Sequence, residues 1–283
     1  MKITNLILIL IIATLIILGY SCKEKDPQNN PPTNEQVLKA VQDYSIASKL
    51  FSDAFSESDK AAKNSDDQID NHNQGQKEGY PIITITPFDA VTWPKNITVD
   101  YGNTNYLCQD GRYRRGKILI GTTGFYRQAG TVITVTFDNY YQNDHKVEGT
   151  QVITNNGRGE DGFLSYTVNI NQGRITTPED KVIIFNESTV RKWIEGEETL
   201  LQHCDDVYEI IGSQSGISSN QITYTLTVIE ALNVQVCCKW IRGGILNLDI
   251  ESLPTISVNY GDNTCDATAT VTINGTENPI IMQ

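Results

Sequence analysis

Apolar and polar residues alternate along most of the chain after Ile82. The alternation is clean in the runs Ile133–Phe137, Tyr166–Ile170, Tyr224–Val228, Leu246–Ile250 and Ala269–Ile273. A period of two places one face of a strand in the core and the other in water, which is typical of antiparallel sheets. Turn-forming residues separate the runs at Asn143-Asp144, Asn155-Asn156-Gly157, Asn171-Gln172-Gly173 and Asn274-Gly275. The pattern predicts a mainly β domain over residues 81–283, with roughly ten to twelve antiparallel strands in a meander, a sandwich or an open barrel.

A helical period governs residues 33–63. Apolar side chains recur every three or four positions at Val37, Val41, Tyr44, Phe51 and Phe55, flanked by Leu38 and Leu50. Thr33 and Gln36 have the spacing of a capping box. The opposite face carries Lys39, Asp43, Lys49 and Asp53. We predict one N-terminal amphipathic helix over 33–63, packed on the β domain rather than in a partner's groove, and a polar loop over 64–80.

The chain begins with an apolar segment that is short for a membrane span. Leu6–Leu18 covers about thirteen residues, whereas a transmembrane helix needs roughly twenty. Gly19-Tyr20-Ser21 and then Cys22 follow, and a cysteine at this place resembles a lipobox, with Gly19 where leucine is usual. We predict a lipoprotein signal peptide over 1–21, palmitate on Cys22 and a tether over 22–32. The alternative is an uncleaved short anchor with a free thiol.

Charge narrows the classes of partner. The net charge is −12, and removal of residues 1–21 takes away Lys2, which makes it −13. A body this acidic is a poor ligand for nucleic acid. We therefore expect no nucleic-acid partner, and a membrane partner only through the lipid anchor. The predicted location is the outer membrane, lipid-anchored, at the cell surface or the periplasmic face.

The cysteines that follow Cys22 are candidates for disulfide bonds in an exported protein. They are Cys108, Cys204, Cys237, Cys238 and Cys265. Their number is odd, so at least one stays unpaired, and the pairing is open. Cys237 and Cys238 are adjacent in a predicted strand, so we expect them to have different partners. A strand that ends in Tyr-Gly precedes both Cys108 and Cys265. This repeat indicates either a pair of loops that form a site or two structural turns whose cysteines form disulfides, a bond between the two being one of the open pairings.

Few residues have the spacing of a catalytic or metal site. Gly111–Lys117 has the spacing of a phosphate loop, but Ile118 stands where the motif needs Ser or Thr. His203 and Cys204 are adjacent, a geometry that seldom forms a catalytic pair. We therefore expect no enzyme, no catalytic residue, no cofactor and no metal. Arg112, Arg114, Arg115 and Lys117 form a basic patch that either contacts an anion or glycan, or offsets acidic charge on neighbouring strands.

Several segments resemble a family of uncharacterised Bacteroidota surface lipoproteins of the Flavobacteria type. They are Ile97–Gly102, Asp110-Gly111, Arg115–Ile118, Thr136–Tyr141, Lys146–Thr150, Thr154–Gly157 and Tyr260–Ala269. The resemblance spans roughly Trp93 to the C-terminus. It implies an envelope location and a β architecture, and brings no catalytic residues with it.

The sequence thus favours a membrane-anchored exported lipoprotein that acts as a non-enzymatic binding or adhesion module for a glycan or an envelope protein. The alternative is an envelope structural lipoprotein. A hydrolase ranks third.

Overall fold

The computed structural model describes residues 33–70, 81–199, 202, 204–251 and 253–282. The predicted signal peptide (1–21), Cys22 and the tether (22–32) lie outside the described residues, as do 71–80 of the predicted polar loop. The elements in chain order are α1 (Asn34–Asp70), β1 (Ile82–Thr86), β2 (Lys95–Asp100), β3 (Tyr106–Leu107), β4 (Tyr113–Thr122), β5 (Val132–Gln142), β6 (His145–Arg158), β7 (Leu164–Thr176), β8 (Val182–Glu195), β9 (Val207–Ile217), β10 (Thr223–Gln235), β11 (Gly243–Ile250), β12 (Ile256–Asp262), β13 (Thr268–Ile273) and β14 (Thr276–Ile281).

The strands form one antiparallel sheet in which chain neighbours pair in order. Only β3 leaves this path, because it pairs with β4 beside β2. The mainly β, antiparallel prediction is confirmed, and of the three predicted arrangements the protein adopts the meander. The sheet has fourteen strands, more than predicted. A strand such as β14, which is exposed along its whole length, has no buried face to impose alternation and is therefore difficult to count from sequence.

Two predicted turns lie inside strands. Asn155–Gly157 belongs to β6 and Asn171–Gly173 to β7, and the pairing register shifts at both places. Asn and Gly tolerate the positive φ of a β-bulge as readily as that of a turn. The residue types therefore predicted correctly that the strands are interrupted at these two places, but the interruptions are β-bulges and not turns. Asn143-Asp144 and Asn274-Gly275 do connect consecutive strands.

The helix begins with the predicted capping box. The backbone N–H of Thr33 donates to Gln36 Oε1 at 2.9 Å, and the N–H of Gln36 donates to Thr33 Oγ1 at 3.3 Å. The apolar stripe packs on the sheet: Phe51 and Phe55 join the buried residues of β1–β9, and Val37 packs against those of β10–β12. This part of the prediction is confirmed.

Two details of the helix prediction were wrong. The helix continues to Asp70, so residues 64–70 are helical rather than loop. The predicted polar face is not exposed throughout, because Asp43 and Asp53 are 0% and 5% exposed. The sheet contacts the helix on more than one side and supplies polar partners. For example, Asp43 accepts from the backbone N–H of Ser219 at 2.7 Å.

Two disulfides close consecutive segments of the C-terminal half. Cys204 pairs with Cys237 and Cys238 pairs with Cys265. The adjacent cysteines thus have different partners, as predicted, but they lie in the turn after β10 and not in the strand that was predicted to separate them. Cys108 is free, so its candidacy for a disulfide, including a pairing with Cys265, was wrong. Burial raises the pKa of the Cys108 thiol, despite the opposing effect of Arg114, and this keeps it a thiol at neutral pH.

Strand β14 forms one edge of the sheet and is protected by a proline. Met282 N–H donates to Ala267 O at 2.7 Å, and bonded and non-bonded pairs alternate along an antiparallel ladder. With the observed register, the backbone nitrogens of Glu277, Pro279 and Ile281 therefore face away from β13. Pro279 removes the central donor of these three, which weakens the edge as a template for another strand.

Replacing Pro279 by threonine is expected to promote self-association. The substitution restores the missing outward N–H on a strand whose Ile281 is 71% exposed. Sedimentation over a concentration series should show larger species for Pro279→Thr than for the parent protein. Asn278→Thr is the matched control, because the N–H of residue 278 faces β13. Equal behaviour of both variants would refute a protective role for the proline.

Candidate binding cleft

The predicted basic patch lies beside carboxylates. The Arg114 side chain, 1% exposed, donates to Asp110 Oδ1 at 2.9 Å and Oδ2 at 2.7 Å. Its Nε lies 3.2 Å from Tyr140 Oη and 3.1 Å from Gln142 Oε1. Gln142 Nε2 donates in turn to Asp53 of the helix at 2.6 Å. Arg114 therefore fastens β4 to β5 and, through Gln142, to α1.

The other three basic residues are also paired. Arg112 lies 3.0 Å from both Asp53 and Asp110. Arg115 contacts Asp144 at 2.5 Å and stacks on the Tyr141 ring, and Lys117 contacts Asp100 at 3.1 Å. Each positive charge thus has a carboxylate beside it. Of the two interpretations of the patch, the geometry supports the offset of local acidic charge, and the anion or glycan contact loses its basis.

Replacing Asp110 by asparagine is expected to lower the free energy of unfolding by about 2 kcal/mol at neutral pH, because Arg114 is then buried without its bidentate partner. Burial by itself would raise the pKa of Asp110, but hydrogen bonds and charge from Arg114 outweigh it and lower that pKa. A lowered folded-state pKa stabilises the protein above the unfolded value of about 3.9, and this contribution is lost as the pH falls through the folded pKa.

Urea unfolding at several pH values measures both effects. The Asp110→Asn variant should lose less stability than the parent between pH 5 and the acid limit of folding, since the asparagine does not titrate. Asp144→Asn is the matched control because its pair with Arg115 is exposed and should be worth less than about 1 kcal/mol. Equal effects of the two substitutions would contradict a structural role for Asp110.

A second buried cluster joins the helix to β8 and β9. Lys63 Nζ lies 2.9 Å from Asp59, 3.1 Å from Asp206 and 3.4 Å from Tyr208 Oη. The same ammonium is 3.8 Å from the ring centroid of Trp193. Both carboxylates and the lysine are buried. These contacts hold the Trp193 ring within the core.

Trp193, whose side chain is buried in the core, is among the residues that line a cleft of about 480 Å³, here called the Trp193 cleft. Its walls are the tip of the β6–β7 hairpin and the loop after β8. The residues that line it include Arg158, Asp161, Phe163, Glu195, Glu197, Glu198, Thr199 and Asp205. Asp205 also lines a neighbouring groove of about 620 Å³, here called the Gln235 groove, together with Lys60, Gln109, Gln202 and the Cys204–Cys237 disulfide.

The hairpin tip holds Phe163 at the rim of the Trp193 cleft. Gly159 N–H donates to Phe163 O at 3.0 Å, and Gly162 N–H donates to Gly159 O at 2.9 Å. Gly162 has a φ of +82°, which glycine adopts without strain. Asp161 Oδ1 accepts from Phe163 N–H at 3.2 Å. The Phe163 side chain is left 39% exposed.

Ion pairs tie the two walls together. Arg158 of the hairpin donates to both carboxylate oxygens of Glu197, at 3.0 and 2.5 Å. Lys192 contacts Asp161 at 2.7 Å and lowers the pKa of that carboxyl through its hydrogen bond. Glu195 and Glu198 have no basic partner within the described part of the chain. The cleft therefore presents an excess of negative charge.

The adjacent His203 and Cys204 do not supply a catalytic pair. Cys204 is bonded to Cys237 and so has no thiolate to act as a nucleophile. His203 lies outside the described residues. Across residues 33–70 and 81–282, apart from the undescribed positions, no group of three or more side chains has the arrangement of a metal site. No helix of the described chain is long and apolar enough to cross a membrane.

The comparisons with known proteins found no match. No family model, no curated protein and no solved structure is similar to this chain. Its function must therefore be argued from its own residues.

The cleft was not among the sites predicted from the sequence. Its walls come from residues about forty positions apart, such as Arg158 and Glu197, which the β7–β8 pairing brings together. A local signal is present in the run Gly159-Glu160-Asp161-Gly162, which has turn composition, but it does not show what the turn packs against.

Proposed function

We propose that the protein is an exported lipoprotein, anchored through Cys22, whose β domain is a non-enzymatic binding module of the cell envelope. Export from the reducing cytosol is supported by one observation above all, the two disulfides at Cys204–Cys237 and Cys238–Cys265. The short apolar segment before Cys22 is consistent with it. The anchor would leave the folded domain outside the bilayer on the tether of residues 22–32.

A binding role is supported by the two adjoining recesses at Asp205. Their polar lining consists of carboxylates, amides, the Arg158 guanidinium and the Lys60 ammonium, groups that orient a ligand by hydrogen bonds. Cys204, which lines the Gln235 groove and follows His203 in the sequence, forms a disulfide with Cys237 and has no free thiol. We therefore propose binding rather than hydrolysis.

Metabolic labelling with a palmitate analogue tests the anchor. The full chain should incorporate the label in a bacterial host with a lipoprotein pathway, and Cys22→Ala should abolish it. Cys108→Ala is the matched control, because it removes the free thiol of the described chain and should leave the label unchanged. Label that persists in Cys22→Ala would overturn the proposed anchor.

Crosslinking in intact cells separates binding from a structural role. A binding module should be retained by a ligand on a glycan or peptide array and show no fixed crosslinked partner. An envelope structural lipoprotein should instead give one constant crosslinked protein and a blank array.

A further inference from the structure

The helix begins at one particular end of the sheet. Successive strands are antiparallel, so every second connection lies at the same end, and one end holds the connections 101–112, 143–144, 177–181, 218–222, 251–255 and 274–275. Asn220 Nδ2, in one of these connections, donates to the carbonyl of Gln36 at 3.0 Å, and the N–H of Ser219 donates to Asp43 at 2.7 Å. Thr33, the first described residue, therefore lies at this end, here called the tether end.

Five strands place an exposed, large apolar side chain on their last or first residue at the tether end. They are Ile82, Leu107, Tyr113, Ile217 and Ile273, with exposed fractions of 37–53%. Leu107 and Tyr113 are partners across the β3–β4 pair, so their side chains share one face of the sheet. Apolar side chains left in water in this way mark a surface for contact with another molecule or phase. We call these five residues the tether-end surface.

The charges near the tether-end surface are balanced. Arg112, Arg115 and Lys117 each lie beside a carboxylate, as described above, so little positive charge remains to attract an anionic lipid. Aliphatic and tyrosine side chains suit instead the boundary between headgroups and acyl chains, where a ring is buried and its hydroxyl stays hydrated. The chemistry of the surface therefore fits a zwitterionic bilayer.

The length of the tether favours this end of the domain over the other. From Cys22 to Thr33 the chain spans at most about 40 Å when fully extended. Strand β6 has 14 residues and is about 46 Å long. Contact through the opposite end, where Val91 is 84% exposed, would hold Thr33 farther from the bilayer than the tether reaches. Contact through the tether end needs no extension, and the anchor raises the local concentration of that surface at the bilayer.

We infer that the tether-end surface rests on the bilayer that holds the lipid of Cys22. The domain then has two membrane contacts, the anchor and this surface, which extends the prediction of a contact through the anchor alone. The inference rests on the proposed anchor and adds an orientation to it. The Trp193 cleft is lined by residues of the β6–β7 and β8–β9 connections, at the opposite end of the sheet. It therefore faces away from the membrane and stays open to a ligand.

Fluorescence quenching by brominated acyl chains tests the inference on the protein purified with its lipid and inserted into phosphatidylcholine vesicles. The three tryptophans, Trp93, Trp193 and Trp240, lie at or near the opposite end of the sheet, so the parent protein should keep its emission. Tyr113→Trp places an indole in the tether-end surface and should lose emission as the brominated fraction rises. Val91→Trp is the matched control, because Val91 is exposed at the opposite end, and it should behave like the parent protein.

Adding Ile82→Ser and Leu107→Ser to Tyr113→Trp should reduce the loss of emission at least about twofold, because two apolar contacts are removed. Phosphatidylglycerol in the vesicles should change the loss by less than about twofold, because charge does not drive the contact. Quenching of Val91→Trp, no quenching of Tyr113→Trp, or quenching only with phosphatidylglycerol would each overturn the inference. Flotation of the same vesicles distinguishes the two failures. Protein that floats without quenching keeps the anchor, whereas protein that does not float refutes the anchor and the inference with it.

Discussion

Reduction of both disulfides is expected to lower the free energy of unfolding by about 7 kcal/mol, about 3.5 for each bond. Cys204–Cys237 and Cys238–Cys265 span 33 and 27 residues. Each crosslink restricts the unfolded chain over its own segment, and the segments do not overlap, so the effects should add. Since whole domains are stable by about 5–15 kcal/mol, reduction should remove a large part of the total.

Urea unfolding with and without a phosphine reductant measures this effect. Cys204→Ser/Cys237→Ser and Cys238→Ser/Cys265→Ser should each show about half of it. Cys108→Ser is the control, because Cys108 is unpaired, and should change stability by less than about 1 kcal/mol. A reductant effect below that size would show that the crosslinks do not hold the fold, and would remove the main support for an oxidising compartment.

Replacing Lys63 by methionine is expected to lower the free energy of unfolding by about 4 kcal/mol. The ammonium lies between the buried carboxylates of Asp59 and Asp206 and over the ring of Trp193. Methionine has a similar length but no charge, so the two buried carboxylates would lose the cation that lies between them. The cost arises from this lost charge compensation, because an intact buried pair by itself contributes little.

Lys60→Met is the matched control on the same helix. The Lys60 side chain is 37% exposed and pairs with Glu57 at 3.2 Å, a contact worth less than about 1 kcal/mol. Chemical denaturation of both variants should therefore separate them clearly. The double variant Lys63→Met/Asp59→Asn should have a higher free energy of unfolding than Lys63→Met, since it also removes one of the two buried negative charges. No recovery would argue that packing around Trp193, rather than charge, accounts for the effect.

The helix shows how far local pattern reaches. The capping box at Thr33 and the stripe through Phe51 and Phe55 depend on residues three or four apart, so both were predictable. The end of the helix was not. Residues 64–70 look like a loop by composition, yet they continue the helix, which is held to the sheet at Lys63 by its contact with Asp206.

The basic patch shows the same limit for side-chain chemistry. The two-residue alternation of a strand correctly places Arg114 and Tyr113 on opposite faces of β4, and the structure shows Arg114 buried and Tyr113 exposed. It could not reveal that Asp53, some sixty positions earlier, lies against Arg112. A patch that is dense along the chain is therefore neutralised in space.

The antiparallel β class and the start and apolar face of the helix could be predicted from the sequence alone. Both follow from the directions of neighbouring side chains along a strand or a helix. The different partners of Cys237 and Cys238 were also predicted, but the two residues lie in the turn after β10 and not in a strand. Only the tertiary structure decided the fourteen-strand meander, the burial of Asp43 and Asp53, the free Cys108 and the cleft at Trp193. These depend on which distant segments pair and in what register, and the residues on either side of a segment carry no information about its partner.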